Sequence, residues 1–302
     1  MEFRAIATGY CFLEAPRADG DAVWFSDPVL GGLRRIWPDG RVDEFVPDRK
    51  RIGGAAINED GAIVFGGMSG LAWLDPSTRR AGMLLDAIDG SPIPAVNDIF
   101  PDGKGGLYFG TSHAAPQKPD EPPQTTALHR LDTDGHITLL WDGLRVANGI
   151  GLSPDGRRLY LNESWLGTFA YDVTVDGNLS NRTLFSAQQD CDGLAVDREG
   201  GVWVACFLSG MIIRVLPNGK PDRRVQILAK NVTSLCFGGA EWRDLYVTTG
   251  GDEGLDALMK GSPPPRTASL YHGRAEVPGL ATPVTRFCLP RDSRPSRAAP
   301  PC

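Results

Sequence analysis

Four residues with oxygen-donor side chains stand at matching places along the 302-residue chain: Glu14, Asn97, Asn148 and Asp192. Each precedes a short apolar triplet: Glu14 lies 9 residues before Val23, Asn97 10 before Leu107, Asn148 11 before Leu159 and Asp192 10 before Val202. Any one of them alone reads most simply as a turn or cap residue, because Asn and Asp bond well to nearby backbone. Four in register mean more if the fold brings its repeats to one height on a common axis. Their oxygens then converge, two carboxylates among them, and they repel one another unless a cation stands between. Two carboxylates and two carboxamides suit Ca2+, Mg2+ or Mn2+ better than a soft-ligand site, and the chain lacks the HxxxH, HxH and CxxC spacings of structural zinc.

The elements that would position these donors are visible as an internal repeat. Apolar strand cores recur at Val23-Trp24-Phe25, Ile63-Val64-Phe65, Leu107-Tyr108-Phe109, Leu159-Tyr160-Leu161, Val202-Trp203-Val204 and Leu245-Tyr246-Val247. Their first residues are 40, 44, 52, 43 and 43 positions apart. Asp19-Gly20, Asp60-Gly61, Asp102-Gly103, Asp155-Gly156 and Glu199-Gly200 stand just ahead of five of them, and Gly tolerates the positive φ of tight hairpin turns. A companion strand follows each core, as in LRRIWPDG (33–40), LHRLDTDG (128–135) and, last, SLYHGRAE (269–276). Six such units predict an all-β fold, a six-bladed β-propeller with a metal site in its central channel. The equivalent slots of the second and sixth units, IGGAA (52–56) and VTSLC (232–236), hold small uncharged residues. Each blade is expected to carry its own core.

Composition agrees with this reading. The 37 Gly and 24 Pro accompany 41% hydrophobic residues, which excludes disorder and favours many short strands joined by turns. A net charge of -6 without acidic or basic blocks argues against nucleic acid or an anionic membrane as partner. No apolar run approaches the roughly 18 residues of a membrane helix, and Met1 to Cys11 has no secretory pattern, so a cytoplasmic location is expected. The six scattered cysteines then read as buried reduced thiols. A single propeller domain is expected over residues 1–290, with a disordered tail at 291–302. Two connections rich in Pro and polar residues, 114–126 and 250–267, read as loops, either lids or plain surface insertions.

With the donors and repeats in place, the flanking residues resemble the gluconolactonase family, which includes regucalcin and the luciferin-regenerating enzymes. The resemblance is carried by Glu14-Ala15-Pro16 with VWFSD, NDIFPDGKGGLYFGT (97–111), ANGIGLSPDGRRLYLNES (147–164), CDGLAVDREGGVWVACF (191–207) and SLCFGGAEWRDLYVTT (234–249). It implies a six-bladed propeller with one divalent metal ion in its channel. Glu14, Asn148 and Asp192 match the family's ligands, and Asn97 matches a fourth residue that ligates the ion or touches the substrate. Ca2+ is expected first, with Zn2+, Mn2+, Fe2+ and Mg2+ as the other ions to test. The resemblance further implies hydrolysis of a small-molecule lactone, either a sugar lactone or a less polar cyclic ester.

A cation with open positions polarises a lactone carbonyl, lowers the pKa of a bound water and stabilises the tetrahedral oxyanion. Asp192, or Asp98 beside Asn97, is placed to take the water's proton; a metal-bound carboxylate is a poor base, which favours an unligated group. His113, after YFGTS, is a further candidate base, its alternative being an exposed loop histidine. Trp165 is a candidate wall residue, while His129, His136 and His272 read as structural. Sugar-lactone members often carry an Arg two residues ahead of the Asn97-type position, where this chain has Ala95, so a less hydroxylated substrate is expected. The alternative functions are a metal-dependent propeller enzyme with lyase, isomerase or condensation chemistry, a non-catalytic binding propeller, and a Ca2+-binding regulator without turnover.

Overall fold

The computed structural model describes residues 1–113, 125–253 and 265–290. Six four-stranded antiparallel sheets surround a common axis, and each of the first five is a simple meander in chain order. The apolar triplets are the second strands: Ala22–Ser26, Ile63–Phe65 and Val202–Cys206 are buried at every position. The preceding turns hold Gly61, Gly103, Gly156 and Gly200 at φ between 67° and 82°, a region that suits glycine. No helix occurs among the described residues, and none is long and apolar enough to cross a membrane.

The innermost strands are Glu14–Asp19, Ala55–Ile57, Ala95–Pro101, Ala147–Leu152, Cys191–Val196 and Val232–Gly238, each in contact with the next around a closed ring. The ring closes through the sixth blade, whose strand order is Phe3–Tyr10, Ala268–Arg274, Asp244–Thr249, Val232–Gly238. The N-terminal strand thus supplies the outer edge of the last blade, outside the segment SLYHGRAE that completes the sequence repeat.

The expectation that each blade carries its own core is corrected by the packing. Six apolar clusters each lie between two neighbouring blades, as where Trp24 and Leu33 of the first meet Ala55 and Phe65 of the second. The reason is geometric: a four-stranded sheet exposes two faces, and each finds its cover on the adjoining sheet. The reduced-thiol reading needs one correction as well. Cys11, Cys191, Cys206 and Cys236 are buried outside any disulfide, whereas Cys288, on the segment beyond the last blade, is disulfide-bonded.

That last segment is a strap across the face opposite the four donors. Leu280 N donates to Val196 O in the fifth blade (3.0 Å), and Arg286 N donates to Gly105 O in the third (2.7 Å). Phe287 and Leu289 enter the apolar cluster between the second and third blades, so the described chain stays packed almost to Pro290. The tail 291–302 and most of the two long connections lie outside the described residues. Asn58 is the clasp. Its Nδ2 donates to Phe287 O (3.0 Å) and Asp60 Oδ1 (2.9 Å), and its Oδ1 accepts from Phe287 N and Thr285 Oγ1 at 2.8 Å each. Asn58→Ala removes these bonds from the buried Phe287 backbone and the Thr285 hydroxyl and is expected to cost about 2–4 kcal/mol. Urea unfolding checks this; a loss under about 0.5 kcal/mol would show that the strap contributes little.

Candidate active site at the channel mouth

The inner strands of four blades share an irregularity that aims the donors. Val96 pairs with Thr111 and Ile99 with Phe109, so Asn97 and Asp98 together oppose one residue. The same two-against-one count occurs at Asn148-Gly149, between Ala147↔Glu163 and Ile150↔Leu161. It recurs at Asp192-Gly193 and at Ala15-Pro16, directly after Glu14. These are β-bulges, which re-aim a side chain at the point where they interrupt the ladder. The second blade pairs regularly from Ala55 to Ile57. Its Gly53 and Gly54 instead seat the neighbours: a Cβ on Gly53 would lie 2.6 Å from Asn97 Oδ1, and one on Gly54 would lie 2.7 Å from Asp98 Oδ1.

Hydrogen bonds tie the bulges together across three blades. Asn97 Nδ2 donates to Ala147 O (3.0 Å) and Asn148 Oδ1 (3.2 Å). Asn148 Nδ2 donates to Ser164 Oγ (3.1 Å), which in turn donates to Cys191 O (2.8 Å). Asn162, fully buried, donates to Asp192 O (2.7 Å) and accepts from Thr168 Oγ1 (2.7 Å). Sequence reasoning missed Asn162 and Ser164 as supports, although polar residues closing the apolar run LYLNES were the available signal.

The charges are crowded. Burial first, then the charges of Asp192 and Asp98, push the Glu14 carboxyl well above its ordinary range. Burial and the Asp98 charge do the same to Asp192, against a hydrogen bond with Asn148. Burial raises Asp98 to about 6, opposed by the Arg17 guanidinium, whose Nε donates to Ala55 O (2.8 Å). Among the described residues no cation is ion-paired to Glu14, Asp98 or Asp192. Nor does any cluster of three or more His, Cys, Asp or Glu there have metal-holding geometry. A divalent ion would therefore need the carboxamides as well, and the partly desolvated, mutually repelling carboxylates fit such a guest.

Glu14, Asn97, Asn148 and Asp192 all line one cavity of about 840 Å3 at the mouth of the channel. Phe12 and Phe207, ring centroids 6.0 Å apart, form one part of its wall, and Trp165 with Leu166 another. Arg51, Ala95 and His113 lie on the wall too, and the His113 Nε2 is buried without a hydrogen-bond partner. Asp98 is set back from the wall, against Gly54. His129 stacks on Phe109 at 5.1 Å and His272 bonds Asp244 at 2.9 Å, both away from the cavity.

Comparison with known proteins accords with this geometry. A family model described as the SMP-30/Gluconolactonase/LRE-like region matches residues 12–251. Pentonolactonase XacC of Haloferax volcanii is 29% identical over 285 residues, 89% of this chain and 91% of that protein. Regucalcin of Danio rerio is 34% identical over 163 residues, 51% of this chain and 55% of that protein, so this match spans about half the relative's length. A solved structure, the calcium-binding protein regucalcin from Agrobacterium tumefaciens, shares the fold with a TM-score of 0.80 at 20% identity, covering 95% of this chain and 98% of that one.

Proposed function

This chain belongs to the SMP-30/gluconolactonase/LRE-like family, and on that premise we propose that it is a lactonase that uses one divalent cation, Ca2+ in the first instance. The observation that carries the reading is the convergence of Glu14, Asn97, Asn148 and Asp192, from four blades, on the wall of one cavity. Their charge crowding supports a cation among them, and the names of the pentonolactonase and regucalcin relatives support a lactone substrate and calcium.

Glu14, Asn148 and Asp192 hold the ion, and Asn97 completes the set or meets the substrate. Bound there, the ion supplies a Lewis acid for the lactone carbonyl and for the oxyanion that follows. Water attacks the carbonyl carbon, the acyl–oxygen bond breaks, and a hydroxy acid leaves. Asp192 faces the cavity and orients the attacking water; Asp98, which holds no ion, is the carboxylate behind it that receives the proton. His113, on the same wall, is the residue assigned to give a proton to the ring oxygen as the acyl–oxygen bond breaks.

Hydrolysis of γ- and δ-lactones by chelator-stripped protein, with Ca2+, Mn2+, Zn2+, Fe2+ and Mg2+ restored singly, is the test. Turnover is expected only after an ion is restored, rising by at least about 100-fold. Tight ion binding with no turnover on any lactone would replace the hydrolytic reading with lyase, isomerase or condensation chemistry on the same site.

A further inference from the structure

The cavity has an apolar side that the hydrolytic chemistry leaves unused. Phe12, Phe207, Trp165 and Leu166 line it, and none of the four joins the six apolar clusters between the blades. Trp165 and Leu166 stand at the tip of the hairpin joining Arg158–Glu163 to Gly167–Val173, 38% and 40% exposed. The Trp165 backbone is held at φ 74°, a region costly for a residue with a side chain. Its N–H donates to Gln189 O (2.7 Å) and the Leu166 N–H to Glu163 O (3.0 Å), so two backbone bonds fix the strained turn. Glycine takes that φ at less cost. A strained, exposed tryptophan beside a second exposed apolar residue, on the wall of the candidate site, points to a ligand that covers both.

Three polar side chains of the same wall are already engaged. Glu163 holds Arg182 at 2.6 Å and the Arg145 N–H at 2.8 Å. Asp190 accepts from the Ser209 N–H (2.8 Å), the Ser209 hydroxyl and Gln188. Ser164 Oγ donates to Cys191 O (2.8 Å). A polyhydroxylated ring would lay hydroxyls against Phe12, Phe207 and Trp165, whose rings offer them no acceptor, and would lose their hydration without return. The cavity, at about 840 Å3, also far exceeds what a bare lactone ring fills, so it has room for a substituent.

We propose that the substrate is a lactone with an alkyl chain on the carbon that bears the ring oxygen, the chain lying along Phe12 and Phe207 out to Trp165 and Leu166. This rests on the lactonase reading and names its substrate class. With the carbonyl toward the Glu14, Asn148 and Asp192 slot, the wall covers the chain and the chain covers the exposed turn, so apolar surface leaves water on both sides. Water adds at the carbonyl carbon and the acyl–oxygen bond breaks. The product is a hydroxy acid that keeps the chain on the carbon carrying the released hydroxyl.

The test follows γ-butyrolactone, γ-hexalactone and γ-octalactone with ion-loaded enzyme. Wild type is expected to gain about 2- to 4-fold in kcat/KM per added methylene, at least about 10-fold from the first lactone to the last. Trp165→Gly removes the ring and suits φ 74°, so it is expected to flatten that slope through KM while melting no lower than wild type. In parallel, calorimetry is expected to show 4-hydroxyoctanoate bound at least about 10-fold more tightly than 4-hydroxybutyrate, a preference that Trp165→Gly reduces. Hydrolysis indifferent to chain length, with the two hydroxy acids bound equally, overturns this inference and leaves the lactonase reading standing. So does a Trp165→Gly variant that melts well below wild type and keeps the slope, which would make Trp165 a packing residue. No hydrolysis of any lactone, with 4-hydroxyoctanoate still preferred through Trp165, overturns the lactonase reading and leaves the apolar wall as the ligand's contact.

Discussion

Asp192→Asn is expected to lose ion binding and turnover together, while the ion-free variant melts higher than ion-free wild type. The substitution keeps the size and the hydrogen-bonding edge of the side chain and removes one negative charge. Glu14 is half-buried and Asp192 buried, and each carboxyl is raised well above its ordinary range by desolvation and by neighbouring charge. An ion turns that repulsion into attraction, so deleting one charge removes much of the binding energy: affinity is expected to fall at least about 100-fold and turnover at least about 1,000-fold. Without an ion the sign reverses. The wild-type site holds carboxylates that burial disfavours, and the neutral carboxamide relieves a penalty of about 1–3 kcal/mol, or about 2–6 °C in Tm. Melting curves with and without ion, beside calorimetric titration, check both halves. An ion-free variant that melts below wild type would show that the slot is a structural polar network rather than a vacant cation site.

The six blades were legible because the apolar triplets recur in phase with their Asp-Gly or Glu-Gly turns, and both signals are local. The inner-strand position of the donors followed from the same phase. Closure was not legible. Phe3–Tyr10 pairs with Ala268–Arg274 across nearly the whole chain, and no short-range pattern in either strand announces that partner. The strap was hidden for a related reason: Phe287 and Leu289 follow the last repeat without a strand or turn signal of their own, and only the tertiary contact with Asn58 reveals them as core. Within the site, the donor types could be read, but the bulges could not, since a bulge is a property of two strands in register. Gly53 and Gly54 looked merely small in sequence; in the structure they are the seat into which Asn97 and Asp98 press.

Two glycines of the fourth blade separate the roles that glycine plays here, and Gly149→Ala carries the larger consequence. Gly156 sits in the hairpin turn at φ 67° with nothing within 4 Å of an added Cβ, so alanine there meets backbone strain and open space. That change is expected to cost about 1 kcal/mol and to leave turnover alone. Gly149 follows Asn148 in the bulge, and its added Cβ would lie 2.4 Å from Leu194 N, 2.6 Å from Gly193 C and 2.7 Å from Asp192 O. Every one of those atoms is backbone of the fifth blade's inner strand, and none can swing aside as a side chain would. Alanine must therefore part the two strands that carry Asn148 and Asp192. A loss of at least about 3 kcal/mol in urea unfolding is expected. Turnover is expected to fall about 100-fold even where the protein remains folded, because a displacement near 1 Å suffices to spoil a reacting geometry. Should Gly149→Ala keep wild-type turnover, the close approach of these strands would not be what sets the distance between the Asn148 and Asp192 oxygens, and the site would have to tolerate a looser spacing than its bulges impose.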